Sequence, residues 1–333
     1  MLGACSAYTF HLYGRLSHET QATNMGELWE HTKGKNTSWI ISASTFSFCF
    51  GVAVAYSLVI GDFLAQLAKS FGGIITNNVT MTALLGLRQF WILSIALSTL
   101  APLCNLKSLK VLAPMALLGT IGSLSTALFM AVRCPAIFPG SPYSIASTTT
   151  GAVGQFAKVS FQGATPTQLQ APQFNTFSQI VSPASLIIAA MAVTAYLGHF
   201  NAVDIYRGFL PSTEHHLLAE DETNMEEGRQ LALKKFSKTT CIGFGLVTML
   251  NVLVMSFGFL TFGGNCSSIV LNNYALTDRG AVLSRLFMTV SVIGGYPFMI
   301  RACKLTFVKL YNQFKGSNVL MDAFVSSACF LPA

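Results

Sequence analysis

The chain has 333 residues, of which 52% are hydrophobic and only 10% are charged, and its mean hydropathy is +0.55. Soluble domains carry about 25% charged residues, so this composition excludes an ordinary soluble protein and indicates a polytopic membrane protein. The formal net charge of +7 is spread between the apolar runs rather than clustered, which predicts topology signals and no nucleic-acid partner.

Apolar runs of about 20 residues predict membrane-spanning helices. The predicted spans, in chain order, are 1–16 (partial), 40–61, 84–104, 111–132, 181–203, 240–262, 282–303 and 319–333 (partial). Arg88 interrupts the third of these runs, and Arg285 lies near the start of the seventh. The polar segment 133–180 predicts a long exterior loop, and the charged segment 207–238 predicts a cytosolic loop. Because the chain begins and ends within apolar runs, we expect it to be a fragment.

The basic residues predict an orientation. If the first segment runs from outside to inside, 14 of the 20 Lys and Arg residues fall on the inner side, which fits the positive-inside bias. Glycosylation sequons at Asn78 and Asn265 fall outside, but the sequon at Asn36 falls inside, so they support this orientation only in part. Cys134 and Cys266 are the two outer cysteines, where an oxidising environment permits a disulfide between them. No cysteine or histidine spacing predicts a metal site.

The sequence carries no motif of an ATP-driven pump or a hydrolase, since a P-loop, GxSxG and HExxH are all absent and few carboxylates fall within the spans. Movement of a solute through a helix bundle, without a cofactor, is the function class that is left. Polar residues inside apolar spans then predict the site, because they face a bundle interior, a cavity or a partner.

Polar interruptions stand out in the second half of the span 181–203, which reads Ala195-Tyr196-Leu197-Gly198-His199-Phe200-Asn201. Together with Tyr206, this stretch resembles the sixth transmembrane helix of the amino acid/auxin permease family, which includes neutral and vacuolar amino acid transporters. Other similar segments follow in the family order: Gly61-Asp62-Phe63-Leu64, Pro102-Leu103-Cys104-Asn105-Leu106, Gly258-Phe259-Leu260-Thr261-Phe262-Gly263 and Tyr296-Pro297. The resemblance covers nearly the whole chain.

The resemblance implies an all-α, LeuT-like inverted-repeat bundle, here incomplete, in which the first and sixth helices are broken near the bilayer midplane. A broken helix exposes backbone groups that bind the carboxylate and ammonium of an amino acid. We place the break at Gly198 and predict Tyr196, Gly198, His199 and Asn201 as substrate-binding residues. The alternative is a continuous helix with a packed Gly198 and a hydrogen-bonded His199. No equivalent of the family's first helix is found, so half of the expected site is missing.

The coupling ion is predicted to be H⁺ or Na⁺. An imidazole changes charge near neutral pH, so His199 is a candidate for proton coupling, although it equally suits a structural hydrogen bond between helices. Sodium-dependent relatives are expected to use hydroxyls of the eighth helix, for which Thr289 and Ser291 are the candidates. Gly294-Gly295 directly before Tyr296 lacks hydroxyls and favours protons.

The predicted function is therefore secondary active transport of amino acids by alternating access across the plasma membrane or a vacuolar or lysosomal membrane. The expected partners are an amino acid and the lipid bilayer. Two alternatives stay open. In the first, the chain is a non-transporting amino acid sensor or scaffold that uses the acidic loop 214–227. In the second, it is a truncated, inactive paralogue.

Overall fold

The computed structural model describes residues 1–34, 37–75, 85–100, 113–144, 155–160, 194–196, 198–210 and 222–314. Throughout these ranges the regular structure is helical and contains no β-strand. The helices are α1 (Leu2–Thr20), α2 (Met25–Lys33), α3 (Ser38–Ile75), α4 (Arg88–Ile95), α5 (Ala113–Arg133), α6 (Ala157–Ser160), α7 (Ala202–Arg207), α8 (Glu222–Phe262) and α9 (Arg279–Phe314). Short 3₁₀ turns cover His199–Asn201, Gly263–Asn265 and Val270–Asn273, and a π turn covers Ala96–Leu100.

Three of these helices are long and apolar enough to cross a bilayer. The apolar stretches are Ser38–Phe71 of α3, Glu226–Asn265 of α8 with the 3₁₀ turn after it, and Arg279–Tyr311 of α9, and a shorter apolar stretch, Leu117–Arg133, lies in α5. Large apolar side chains such as Ile242, Val252 and Met255 are exposed along α8, where lipid tails would cover them. The prediction of an all-α integral membrane protein is confirmed, whereas the inverted repeat stays a prediction.

The predicted spans 40–61, 240–262 and 282–303 each lie inside one of the long helices. The spans 84–104, 111–132 and 181–203 are described only in part, and 319–333 lies outside the described residues. Two helices extend beyond the apolar runs. α3 continues past Asp62, whose carboxylate is 3.3 Å from Nη1 of Arg88, and α8 begins at Glu222, within the charged segment predicted as a loop.

By packing, the chain divides into two compact units. Unit 1 comprises Met1–Phe48, Asn175–Met249 and Ala302–Val325, and unit 2 comprises Cys49–Phe174, Leu250–Arg301 and Ser326–Ala333. The long helices α3, α8 and α9 contribute residues to both units. Each unit has its own buried cluster of apolar side chains.

The core of unit 1 joins α1, α7 and α8. Phe10 of α1 stacks on Phe236 of α8 with ring centroids 5.6 Å apart, and Tyr206 of α7 meets the Phe236 ring edge-on at 5.8 Å. Gly14 permits the close approach of α1 and α8, because a Cβ at this position would collide with the Phe236 ring. This packing holds the short helix α7 and the turn before it against α1.

The core of unit 2 is a cluster of buried aromatic and apolar side chains. Tyr274 packs edge-on against Phe262 at 4.9 Å and against Tyr143 at 5.0 Å, with Met130 and Phe63 buried in the same cluster. Edge-to-face pairs of this kind contribute about 0.5–1.5 kcal/mol beyond their buried area. The cluster fixes the segment between α8 and α9.

Candidate functional site

The helical backbone is interrupted where the sequence places the break. Residues 195–196 form a turn, Gly198 has φ −121° and ψ 8°, and a 3₁₀ turn over His199–Asn201 leads into α7 at Ala202. The amide of Asn201 donates to the carbonyl of Gly198 at 3.0 Å, so the i→i−4 ladder is replaced by a tighter turn. A Cβ on Gly198 would meet only Phe10, at 4.0 Å, so the glycine is not required for close packing.

His199 connects this interruption to α1. Its Nε2 lies 2.7 Å from Oγ1 of Thr9 and 3.1 Å from the carbonyl oxygen of Ser6. A carbonyl only accepts, so Nε2 carries a proton and donates, while the Thr9 hydroxyl donates to the carbonyl of Cys5 at 3.0 Å. In the neutral ring Nδ1 is then the acceptor, and it has no hydrogen-bond partner among the described residues.

Aromatic rings surround the half-buried imidazole. The centroids of Phe10, Tyr13 and Phe244 lie 5.7, 6.0 and 6.3 Å from that of His199. Within the described part of the chain, no carboxylate, lysine or arginine forms an ion pair with His199. The environment therefore offers the ring hydrogen bonds and aromatic contacts but no fixed charge.

A cavity of about 400 Å³ opens beside the interruption. Tyr196, Gly198 and Asn201 line it, whereas His199 stands behind its wall and touches the lining residues Phe10 and Phe244. The volume falls within the range of about 300–1,000 Å³ that is usual for small-molecule sites. Most of the lining is apolar or aromatic, with Thr239 and Thr240 as hydroxyl groups on α8. Such a lining suits a ligand with an uncharged side chain.

Three of the four predicted substrate-binding residues thus share one cavity, and the fourth packs against it. The partners that hold His199, namely Ser6, Thr9 and Phe10, are absent from the sequence-based prediction. The sequence separation between Thr9 and His199 is 190 residues. A hydroxyl and an aromatic ring on the same face of an apolar helix would have been the signal for this contact.

The two predicted ion-coupling hydroxyls on α9 have structural partners in unit 2. The buried Thr289 hydroxyl donates to the carbonyl of Arg285, one turn earlier, at 2.7 Å. Ser291 lies against Gly119 of α5, where a Cβ on the glycine would be 2.6 Å from the serine Oγ. Both contacts are typical of small hydroxyl residues that serve helix packing.

The other predicted sites lie in unit 2 or outside the described residues. Cys134 is buried and Cys266 is exposed; both carry free thiols, and both interact electrostatically with Tyr274. Asn265 ends a 3₁₀ turn, and Asn78 is not among the described residues. The disulfide and both glycosylation sites stay predictions.

A buried carboxylate in unit 2 organises a cluster that the sequence did not indicate. Asp278, 1% exposed, faces Arg133 with Nε–Oδ2 and Nη2–Oδ1 distances of 3.0 and 3.1 Å, and it accepts from the Tyr143 hydroxyl at 3.1 Å. Burial raises the pKa of Tyr143, which keeps its proton on the hydroxyl. Before α9, an aspartate looks like an ordinary helix cap, so the sequence offered no signal for this pairing.

Arg285 is a second buried charged residue near Asp278 in unit 2. Its guanidinium is fully buried, and Nη2 donates to the carbonyl oxygens of Leu271 and Tyr274 at 2.8 and 2.7 Å. These bonds fix the segment between α8 and α9 by tying it to the first turns of α9. Arg285 also lies close enough to Asp278 to be attracted by its charge.

Comparisons with known proteins agree with these observations. A family profile described as "Transmembrane amino acid transporter protein" matches residues 1–207. The chain is 23% identical over 294 residues to the protein named "Vacuolar amino acid transporter 5" of Schizosaccharomyces pombe. The alignment covers 88% of this chain and 56% of the relative, so the chain spans little more than half the length of that curated protein. No solved structure matches.

Proposed function

Because the chain belongs to the family of transmembrane amino acid transporters, we propose that it takes part in secondary active amino acid transport by alternating access. The observation that carries this proposal is the helix interruption at Gly198 beside a cavity of about 400 Å³. Interrupted backbone leaves donors and acceptors outside the helical ladder, where they suit the carboxylate and ammonium of an amino acid. The family is one of transporters rather than enzymes.

In this proposal Tyr196, Gly198 and Asn201 contact the substrate from the broken segment. The amide of the Asn201 side chain makes no hydrogen bond to a described residue, so it is free to bind a polar group in the cavity. The aromatic lining selects amino acids with uncharged side chains, because a charged side chain would lose its hydration without gaining an ion pair.

We also propose that protons, rather than sodium ions, drive the transport. The acceptor Nδ1 of His199 is the position where a second proton would bind, and the resulting cation would change the hydrogen bonds between α1 and the broken segment. The sodium alternative has less support, because the Thr289 hydroxyl is already bonded within α9 and Ser291 is packed on Gly119.

Uptake of radiolabelled neutral amino acids into proteoliposomes, with an imposed pH gradient or sodium gradient, tests both parts. We expect uptake driven by the pH gradient in the unsubstituted protein. His199→Gln keeps a side-chain N–H donor for Ser6 but cannot bind a second proton, so it should abolish the pH dependence. His31→Gln, at an exposed position of α2, is the matched control.

The outcomes separate the alternatives. Equal, pH-dependent uptake by His199→Gln would overturn proton coupling through His199, and uptake that requires sodium would overturn proton coupling as a whole. Amino acid binding without any uptake supports the sensor or scaffold alternative. An absence of both binding and uptake contradicts the transport proposal.

The same comparison supports a proposal about the membrane in which the protein works. The name of the yeast relative includes a vacuolar location, and on this basis we propose a vacuolar or lysosomal membrane rather than the plasma membrane. Fractionation of cells that express the tagged protein tests this proposal, and enrichment with plasma-membrane markers would contradict it.

A further inference from the structure

Three lysines lie on one exposed face in the first half of α8. Lys234, Lys235 and Lys238 are all exposed, and no described residue forms an ion pair or a hydrogen bond with any of them. The carboxylates that precede them on α8, those of Glu226 and Glu227, come at least seven residues before Lys234, which is about 10 Å along the helix axis. The three ammonium groups therefore have no counter-ion in contact within the described part of the chain.

The face that carries these lysines continues into the lipid-exposed part of α8. Helical residues spaced by three, four, seven or eleven positions share a face, and this spacing relates Lys238 to Leu231, Ile242 and Met249. The three apolar side chains are 53%, 62% and 48% exposed, respectively. No charged residue follows between Thr239 and Phe262, where α8 ends, so the lysines are the last charges before the apolar part of the helix.

The axial spacing places the lysines at the level of lipid headgroups. Lys238 precedes Ile242 by four residues, or about 6 Å along the helix. The headgroup region adds roughly 5–8 Å to each side of the hydrocarbon core. A lysine at such a position packs its aliphatic stem on the apolar surface and extends its ammonium group into the headgroups.

We propose that this lysine face, formed by Lys234, Lys235 and Lys238, binds the headgroups of anionic phospholipids on the predicted inner side of the membrane. Positive charge next to exposed Ile242 and Met249 matches a molecule that has a negative headgroup attached to acyl chains. A soluble anion would leave these apolar side chains uncovered, and a zwitterionic lipid brings no net charge to balance the lysines.

The placement of the lysines exceeds what a topology signal requires. Basic residues that orient a span need only lie in the inner loop, on any face of the helix. Here they share the lipid-facing side, while the opposite side of α8 at the same level carries the buried residues Ala232 and Phe236. The face on which the lysines lie is therefore the observation that favours a lipid partner.

The opposite side of the same helix segment lines the cavity beside the broken segment. Phe236, Thr240 and Gly243 belong to its lining, and Phe236 also packs on Phe10 and Tyr206. A lipid that holds α8 by its lysine face thus fixes the position of a cavity wall, and through it raises the rate of uptake. This regulatory role rests on the proposed function, whereas lipid binding does not.

Lipid binding is measured by native mass spectrometry of the purified protein in detergent, titrated with phosphatidylglycerol or phosphatidylcholine. We expect phosphatidylglycerol to bind more tightly. Lys234→Gln, Lys235→Gln and Lys238→Gln should each weaken its binding about fivefold, and the three arginine substitutions, which keep the charge, should preserve it. Lys33→Gln is the matched control, because Lys33 is an exposed lysine of unit 1 on the polar helix α2.

The regulatory role is measured by amino acid uptake into proteoliposomes of phosphatidylcholine with and without phosphatidylglycerol. We expect the anionic lipid to increase uptake severalfold in the unsubstituted protein and in the triple arginine variant, but not in the triple glutamine variant. The melting temperatures of all variants in detergent should be equal, because the substituted side chains are exposed.

The outcomes separate lipid binding from the proposed function. If phosphatidylglycerol binds no better than phosphatidylcholine, or if Lys33→Gln weakens its binding as much as Lys238→Gln, the proposal is overturned and the lysines serve topology or an acidic protein partner. Displacement of the lipid by an equal concentration of glycerol 3-phosphate also overturns it, because the site would then take a soluble phosphate.

Uptake that is unchanged by phosphatidylglycerol, in a protein that binds this lipid through the lysine face, overturns the regulatory role alone. If the unsubstituted protein moves no amino acid in either lipid mixture, the proposed function is overturned, and the binding titrations by themselves decide whether the lysine face is a lipid site.

Discussion

Asp278 in unit 2 is 1% exposed and accepts hydrogen bonds from Arg133, Tyr143 and the amide of Gly280, whereas the half-buried His199 in unit 1 is bonded to Thr9 and to one carbonyl of α1. Both carboxylate oxygens of Asp278 accept hydrogen bonds, and the ion pair with Arg133 offsets its charge. In the second cluster, Nδ1 of His199 is an acceptor without a partner among the described residues, and a cavity lies beside the cluster. A buried carboxylate whose two oxygens are both engaged specifies structure, while a neutral imidazole with an unused acceptor can exchange hydrogen-bond partners.

Removing the buried carboxylate of Asp278 is the strongest test of the difference between the two clusters. Asp278→Ala leaves the Arg133 guanidinium and the Tyr143 hydroxyl without their acceptor, and we expect a loss of about 3–5 kcal/mol in stability. Thermal unfolding of the purified protein in detergent measures this. Asp62→Ala is the control, because its ion pair with Arg88 at 3.3 Å is partly exposed and contributes only about 0–1 kcal/mol. Equal losses in the two variants would contradict the distinction.

The hydroxyl of Tyr143 gives the next largest expected effect. It donates to Asp278 at 3.1 Å and accepts from the buried amide of Ala275 at 3.1 Å, so Tyr143→Phe leaves two buried groups with fewer partners. We expect a loss of about 1–3 kcal/mol in the same unfolding assay. Tyr8→Phe, at an exposed position of α1, should change stability by less than about 0.5 kcal/mol.

For unit 1 the comparison predicts a small effect on stability and a larger one on function. Thr9→Val removes the hydroxyl next to His199 with little change in shape, and because this position is exposed we expect a loss of only about 0.5–1 kcal/mol. Uptake should fall about tenfold if the bond between α1 and the broken segment controls transport. Thr9→Ser restores the hydroxyl and should restore uptake. If Thr9→Val destabilises the protein as much as Asp278→Ala, the two clusters do not differ in their contribution to stability.

The sequence predicted the elements better than the contacts, for a physical reason. Apolar runs and the polar stretch around Gly198 report local preferences, so the helices in α3, α8 and α9 and the interruption were accessible from it. The pairing of Asp278 with Arg133 spans 145 residues, and a cavity of about 180 Å³ in unit 1 is lined by both Lys309 and Asp204, which lie on separate helices. In the sequence these residues read as a helix cap and as topology charges, because nothing local specifies which distant group each one meets.

The smallest expected effect concerns acid stability at α2, and it tests whether the partly exposed charges of unit 1 behave unlike the buried Asp278. Burial by itself raises the pKa of Glu27, but its hydrogen bonds from Thr23 and Asn24, together with the charge of Lys309, lower the pKa below its ordinary value of 4.5. A carboxylate whose pKa is lower in the folded state stabilises that state above pH 4.5, and this contribution is lost as the pH falls through the folded value.

Glu27→Gln should therefore lower the melting temperature slightly at neutral pH and have no further effect once the pH is well below 4.5. We expect less than about 1 kcal/mol, because Glu27 is only partly buried and water screens its charge. Glu30→Gln is the matched control, since its carboxylate accepts no hydrogen bond from a described residue. A constant difference from the unsubstituted protein at every pH would mean that the hydrogen bonds of Glu27, rather than its charge, stabilise the start of α2.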